Sequence, residues 1–332
     1  MNITVIYSLP TRSILAGPYA DTDQDTVESA HEVARALTEK GATVTMLPVD
    51  EDHIERIAEI RTDLIFNLID WTGLDLPLSD RAFACIEQTG ILFTGATRAN
   101  YILTSDKITM KTALEENGLP TARFQIFERG DEIPRKDFRY PVIIKPALEH
   151  CSIGLTHDAI VHDAVTLIRR VQDRIKKFEE PMVVEEFISG REFQVTGIEM
   201  HADFLVLPPA EIIFTEKNKD NMLTYDSRWD DTTADYKSSH VALASLGPKQ
   251  ILALQNLTTQ TFTRLSYRDY IRLDIRMRGN DMFILEANCN PGLSDDMEYG
   301  MTLSYKAVGW TFADFIWKIV ESAFRRAAVS RS

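Results

Sequence analysis

The chain is short of cysteine, has no long apolar run and carries no excess of positive charge. Each shortage removes a class of function. Its three cysteines, Cys85, Cys151 and Cys289, are odd in number and widely spaced. They form neither a disulfide framework nor a zinc pattern, and they suit a reducing compartment. No stretch approaches the roughly twenty apolar residues of a membrane-spanning helix. The opening MNITVIYSLP lacks the basic start and apolar run of a secretory signal. A cytoplasmic protein without a membrane partner is the expectation. With 50 acidic against 36 basic residues the formal net charge is −14, which gives no basic footprint for nucleic acid. The Walker pattern GxxxxGK[ST] is absent, as are internal repeats and low-complexity tracts.

What is present is an ordinary globular composition, 44% hydrophobic and 26% charged over 332 residues. That length suits two or three subdomains around a large core. In the first hundred residues strands alternate with helices. ITVIYSL, ATVTMLPV, DLIFNLI and ILFTG read as strands, with helices at Thr26–Lys40 and near Ser79–Thr89. Such alternation implies parallel βαβ units, whose ligands sit beyond the strand carboxyl ends. Gly17–Asp25 and Asn67–Asp75 are therefore candidate ligand loops. Beyond Thr97 a helix is expected from Asp106 to Asn117, then strands ARFQIF, YPVIIKPA and PMVVEEF around a helix near Asp163–Lys177. From Phe193 to Asn288 strands are expected to dominate, broken by a polar stretch at Thr215–Ser239. Trp310–Ala328 reads as an amphipathic helix.

Three segments carry chemistry. In RLDIRMRGNDMFILEANCNPG (Arg272–Gly292) two alternating runs flank Gly279-Asn280-Asp281, the signature of a hairpin. Glu286 and Asn288 are two apart and share a face, and strand pairing can bring Asp274 onto it. Two carboxylates and an amide oxygen suit Mg²⁺; an acidic solvated hairpin is the alternative. YPVIIKPALEHCSIGL (Tyr140–Leu155) ends an apolar strand on Lys145, a snorkelling or anion-binding lysine. The small-residue loop Glu149–Gly154 after it can fold its N–H groups over phosphate. VVEEFISGREF (Val183–Phe193) sets Glu185 and Glu186 where a strand gives way to a turn, as an adenine-reading linker or a solvated hinge.

Together these segments resemble the D-alanine–D-alanine ligase family of the ATP-grasp superfamily. SDKITMKTALEENGLPTARF is similar to the family's DK…K…L…GLP. YPVIIKPALEHCSIGL is similar to FPVIVKP…EGSSVGM, VVEEFISGREF to EKWLSGPEF, and RLDI…FILEANCNPGL to RIDV…LEANTSPGM. FNLIDWTG…ILFTG is a weaker match, and the whole covers roughly residues 60–295. The resemblance implies an ATP-grasp fold of the α/β class: an N-terminal open parallel α/β domain (1–98) and two α+β subdomains (99–188 and 189–332) sandwiching ATP.

It also implies site residues. Lys107 and Lys145 would hold ATP phosphates, with Ser152, Ile153 and Gly154 of the loop closing over them and Ser152 also a catalytic candidate. Glu185 would meet the adenine amino group, the backbone near Glu186 and Ile188 the ring edge, and Glu192 the ribose. Asp274, Glu286 and Asn288 would ligate two Mg²⁺ ions, with Mn²⁺ as the substitute. Arg272 would stabilise charge developing at the reacting carboxyl, and Arg228 in TYDSRWDD would reach the γ-phosphate. A homodimer is compatible with the resemblance.

The departures lie at the substrate end. The family's HGxxGEDG becomes NLIDWTGLDLPL, which loses the histidine and brings in Asp70 and Trp71. The glutamate expected to hold a substrate ammonium has only Gln24 and Asp25 as rough counterparts. Trp71 and Tyr19 are candidates for an apolar or aromatic pocket, with core packing the favoured role for Trp71. Cys151 stands at a serine position, with a small packing substitute the favoured role and a reactive thiol the alternative. After Asn290 and Gly292, a serine-containing segment becomes Ser294-Asp295-Asp296-Met297-Glu298, where Asp295 and Asp296 suit a cationic or hydroxylated acceptor; a solvated acidic loop is the alternative. The implied activity is an ATP-dependent carboxylate–amine ligase acting on small molecules other than two D-alanines. A small-molecule kinase and a non-catalytic nucleotide-binding protein remain the alternatives.

Overall fold

The computed structural model describes residues 1–17, 19, 21–200, 203–216 and 218–329, with the backbone alone at 21–24 and 329. The first region contains β1 (Asn2–Ser8), α1 (Arg12–Leu15), α2 (Asp21–Glu39), β2 (Thr43–Val49), β3 (Leu64–Leu68) and α3 (Leu76–Gln88). The strands form a parallel sheet in the order β2-β1-β3. The expected fourth strand, Ile91–Gly95, amounts to one parallel bridge between Ile65 and Phe93. Arg326 takes the Phe93 carbonyl at 2.7 Å, and Gly95 at φ +77° turns the chain away, so the ladder cannot extend.

Two helices follow in tandem, α4 (Arg98–Ser105) and α5 (Lys107–Glu116). Thr97 caps the first and Asp106 the second, each side chain accepting from a backbone N–H of the first turn. An antiparallel sheet, in the order β4-β7-β5-β6, joins β4 (Phe124–Phe127), β5 (Val142–Pro146), β6 (Ile160–Val161) and β7 (Met182–Glu186). α6 (Ala164–Phe178) packs on it through Leu167 and Val171.

The second antiparallel sheet comprises β8 (Arg191–Met200), β9 (Asp203–Val206), β10 (Ala210–Phe214), β11 (Ser239–Leu243), β12 (Tyr270–Arg278) and β13 (Asp281–Asn288). Its path is β11-β10-β8-β12-β13, with β9 also on β8. α7 (Tyr225–Trp229) lies in the polar stretch between β10 and β11. The expectation of strands throughout this region is corrected by α8 (Pro248–Arg264), a helix of 17 residues. Its four threonines disguise it, because β-branched residues favour strands. In the helix Thr258 and Thr261 are buried and donate back to Leu254 O (2.8 Å) and Leu257 O (2.9 Å).

The chain ends with α9 (Gly300–Ala307) and α10 (Phe312–Val329). Phe315, Ile316 and Ile319 of α10 share one core with Val5 of β1, Leu37 of α2 and Tyr270 of β12. The last helix thus ties the parallel sheet to the second antiparallel one. The two antiparallel sheets face each other across a cleft of about 230 Å³.

Candidate active site

The β12–β13 hairpin supplies one wall of the cleft. Ile271, Leu273, Ile275 and Met277 point into the core, so the alternate residues Arg272, Asp274 and Arg276 face the cleft. The hairpin turns at Gly279 (φ +64°) and Asn280, with Arg278 opposite Asp281. Arg272 pairs with Asn288 and Asp274 with Glu286, while Ile275 pairs with Ile284. Leu285 is therefore an extra residue, a bulge that lets Ile284 stay in the core while Glu286 turns to the cleft. Arg272 holds Asp274 with two hydrogen bonds (Nε–Oδ1 2.9 Å, Nη2–Oδ2 3.0 Å), and Asn288 Nδ2–H donates to Asp274 Oδ2 at 3.2 Å.

The opposite wall brings lysines. Lys107 Nζ lies 3.5 Å from Glu286 Oε1 and donates to the Glu149 carbonyl. Lys145 Nζ lies 2.5 Å from Glu185 Oε1, and Lys111 contacts the other carboxylate oxygen. Burial favours the neutral form of Glu185, but the two lysines outweigh it and hold the carboxyl down at about 2. Glu286 reaches about 2 in the same way: burial raises it, and Lys107, His150, Lys145 and Arg272 prevail. Asp274 goes the other way. Burial lifts it, Arg272 opposes, and Glu286 adds repulsion.

The phosphate-loop candidates follow β5. Cys151 (φ 52°), Ser152 (φ 63°) and Gly154 (φ +77°) occupy left-handed conformations. A Cβ on Gly154 would lie 2.8 Å from Pro146 and 2.9 Å from Phe178, so this position needs glycine on both counts. Ser152 and Ile153 line the cleft or its side pocket. His150 also lines both. Its Nε2–H donates to Ser105 O (3.1 Å), and burial, aided by Lys107, pushes its pKa down to about 4. Cys151 is exposed, which is not the packing role its small size suggested. Burial of its surroundings pushes the thiol up to about 11.

At the nucleoside end two glutamates are paired with basic side chains. The Glu185 carboxylate, which the resemblance assigns to the adenine amino group, is 1% exposed and engaged by two ammonium groups. Glu192 Oε2 is held by Arg276 (Nε 2.8 Å, Nη2 2.7 Å). Arg276 also donates to Ile188 O at 2.9 Å and to Asn221 O. Glu186 Oε1 accepts from Arg139 N at 3.0 Å.

The substrate end is carboxylate-rich. Asp70 faces the cleft and accepts from the Tyr101 hydroxyl at 2.7 Å. The Tyr299 hydroxyl donates to both oxygens of Asp25 at 2.8 Å. Burial and the nearby Asp25 raise the pKa of Asp70, against the Tyr101 hydrogen bond. Arg228, Asn290 and Gly292 line the same end.

Other substrate candidates lie elsewhere. Trp71 is buried in the core and donates its Nε1–H to Leu9 O at 2.8 Å. Asp295 is held by Tyr305 (2.8 Å) and Lys306 (2.9 Å), Asp296 accepts from Glu298 N (2.9 Å), and neither lines the cleft. Tyr19 packs edge-on against Tyr225 (4.9 Å). The Gln24 side chain lies outside the described residues.

Sequence reasoning did not single out Arg276, Lys111 or His150. Arg276 was available by carrying the alternation of RLDIR one step further. Lys111 is the second lysine of the DK…K pattern, one helical turn from Lys107. His150 stands against the glycine of EGSS.

The oxygen set of the hairpin suits a hard cation such as Mg²⁺. Asp274 and Glu286 are cross-strand neighbours whose like charges oppose each other, and Asn288 gives Asp274 its amide N–H, leaving its amide oxygen for another partner. Among the described residues no group of three or more His, Cys, Asp and Glu side chains converges. Asn288 is therefore needed as the third donor, with phosphate oxygens or water completing the shell, as Mg²⁺ tolerates. The residues fit.

Comparisons with known proteins bear on the family and the fold. The family model "D-ala D-ala ligase C-terminus" matches residues 113–321. A protein of Sinorhizobium fredii called y4sG is 32% identical over 73% of this chain and 69% of its own length. The D-alanine–D-alanine ligase of Desulforudis audaxviator is 26% identical over 94% and 98%. In fold, the chain is similar to the Bacillus anthracis D-alanine–D-alanine ligase solved with ATP, with a TM-score of 0.75, 16% identity and 99% of each chain covered.

Proposed function

The chain belongs to the D-alanine–D-alanine ligase family, and we propose that it is an ATP-dependent, ADP-forming ligase joining a carboxylate to an amine on a substrate pair other than two D-alanines. The observation that carries this reading is the meeting of Arg272, Asp274, Glu286 and Asn288 with Lys107 and Lys145 in one cleft. A carboxylate does not acylate an amine directly, because oxide is a poor leaving group. Transfer of the ATP γ-phosphoryl group gives an acyl phosphate and ADP; amine attack then forms the amide and expels phosphate.

In this reading Lys107, Lys145 and the Ser152–Gly154 loop hold the phosphates, with Arg228 facing them from the far wall. Backbone groups near Glu186 and Ile188 read the adenine edge, and Glu192 the ribose. Arg272, kept charged by Asp274 and Glu286 against the cost of burial, stabilises negative charge at the reacting carboxyl. Asp274, Glu286 and Asn288 would hold Mg²⁺, which when bound offsets phosphate charge. The cleft walls orient both substrates and keep water from the acyl phosphate.

A substrate pair other than two D-alanines is supported by Asp70, which faces the cleft where the family motif has histidine. The test incubates the protein with Mg-ATP and pooled acids and amines, following nucleotides and new masses together. ADP, phosphate and a product equal to acid plus amine minus water is the expected result. A phosphorylated acceptor without an amide would replace the ligase reading with a kinase, and D-alanyl-D-alanine as the sole product would overturn the substrate assignment.

A further inference from the structure

Lys107 and Lys111 lie one turn apart on α5 and face the same way, yet only Lys107 lines the cleft or its side pocket. Lys111 is fully buried. Its Nζ contacts Glu185 Oε2, donates to Thr121 Oγ1 at 3.0 Å and lies 5.9 Å from the centre of the Phe124 ring. It has no route to a ligand. Lys145 takes the other oxygen of the same carboxylate at 2.5 Å while lining the cleft. One carboxylate is thus shared between an inner and an outer ammonium.

We propose that Lys111 is a positioning residue for nucleotide binding: by permanently occupying one oxygen of Glu185, it keeps Lys145 available to phosphate. A buried carboxylate facing a single ammonium forms a closed pair with no net charge, costly to open. Facing two, it leaves the trio with one positive charge, and the outer ammonium can turn to an incoming phosphate while Glu185 stays compensated from behind. The carboxylate is then a hinge between lysines rather than a contact to adenine. This inference rests on the reading of the cleft as an ATP site.

The experiment measures binding of Mg-ATP and of adenosine by calorimetry to the intact protein and three variants, with thermal midpoints recorded beside them. Lys111→Met is expected to weaken Mg-ATP by about tenfold, the scale of one charge-assisted contact, with adenosine changed less than about twofold. Glu185→Gln, which releases both lysines, is expected to bind Mg-ATP at least as tightly as the parent. The double variant Lys111→Met/Glu185→Gln removes the closed pair and is expected to recover most of the lost affinity and thermal stability.

A purely structural Lys111 would lower adenosine and Mg-ATP binding in parallel, and that result overturns the proposal. So does unchanged Mg-ATP binding in Lys111→Met, or a double variant no better than the single one. If Lys111→Met does not fold, the soluble double variant decides, since it must bind Mg-ATP within about threefold of the parent. Absence of Mg-ATP binding by the parent protein would instead strike the ATP reading itself.

Discussion

Glu180 offers a quantitative check on the electrostatics behind the phosphate loop. It is 4% exposed, its Oε2 accepts from Leu148 N at 2.5 Å, and its Oε1 has no partner. Burial is the main cause that raises its pKa to about 7 from 4.5; Glu149 and Asp106 add to the rise, and the Leu148 N–H and Lys107 oppose it. Folded protein therefore binds this proton more tightly than unfolded chain. Stability from the group is fully present below about pH 4.5 and is lost as pH rises through about 7. At about 1.4 kcal/mol per pH unit the loss comes to about 3 kcal/mol.

Glu180→Gln keeps a carbonyl for the Leu148 N–H and cannot ionise. The variant should match the parent near pH 4.5 and exceed it by up to about 3 kcal/mol at pH 8.5. For 332 residues the unfolding entropy is about 0.7 kcal/mol/K, so the gap is about 4 °C in thermal midpoint. Paired thermal scans across that pH range read it directly, because all other titrations cancel between the two proteins. A gap that is the same at both ends of the range would refute the reasoning.

Three further outcomes are expected. Glu286→Gln removes the anion that faces Lys107, Lys145 and Arg272 and should cut ADP release by about a thousandfold while circular dichroism stays unchanged; near-normal turnover would dismiss the metal assignment. His157 is gripped by Asp220 (2.6 Å) and Asp235 (3.4 Å) from the polar stretch, and although burial lowers its pKa those aspartates win and raise it. Its contribution is present below the unfolded value near 6.5 and lost as pH rises through the raised one, so a thermal midpoint that falls between pH 6 and 8.5 in the parent should fall less in His157→Asn. Cys151 is exposed, but its thiol is pushed up to about 11, so iodoacetamide at pH 7.5 should label it more slowly than free cysteine; rapid labelling would contradict that environment.

The hairpin of the site was legible because a strand repeats every two residues. Arg272 and Asp274 declare one face, Leu273 and Ile275 the other, and Glu286 and Asn288 follow the same rule on the partner strand. The rule fails one step away. Ile284 and Glu286 are also two apart, yet one is in the core and the other in the cleft, because Leu285 bulges between them. A bulge changes the phase of an alternation without changing its letters. α8 was hidden for a different reason, since hydroxyls that bond back along a helix cannot be told in sequence from hydroxyls on a strand. Trp71 takes the favoured core-packing role, whereas Asp295 and Asp296 stay outside the cleft lining, with Asp295 tied to Tyr305 and Lys306 across a loop that carries no periodicity.

The charges of the cleft explain why its lysines were read as phosphate ligands and its glutamates as nucleoside ligands, when the structure pairs them first with each other. A buried cation is costly unless an opposite charge compensates it. Lys107 stands against Glu286, Lys111 and Lys145 against Glu185, Arg272 against Asp274, and Arg276 against Glu192. Five cations meet four carboxylates, so every one of these buried ions has a partner and the network carries one net positive charge. A polyanionic ligand cannot simply be added to such a network; it must exchange partners with it. Every cation that turns to a phosphate leaves a carboxylate behind. In the proposed arrangement Glu185 keeps Lys111 when Lys145 turns away, whereas Asp274 and Glu286 lie across from each other and their like charges oppose. On the proposed reading, the hairpin carboxylates are the ones a divalent cation would compensate, and Glu185 is the one that keeps a lysine. Pairing thus divides four chemically similar acids into Glu185 and Glu192, held by lysines and an arginine, and Asp274 and Glu286, which the proposed function gives to Mg²⁺.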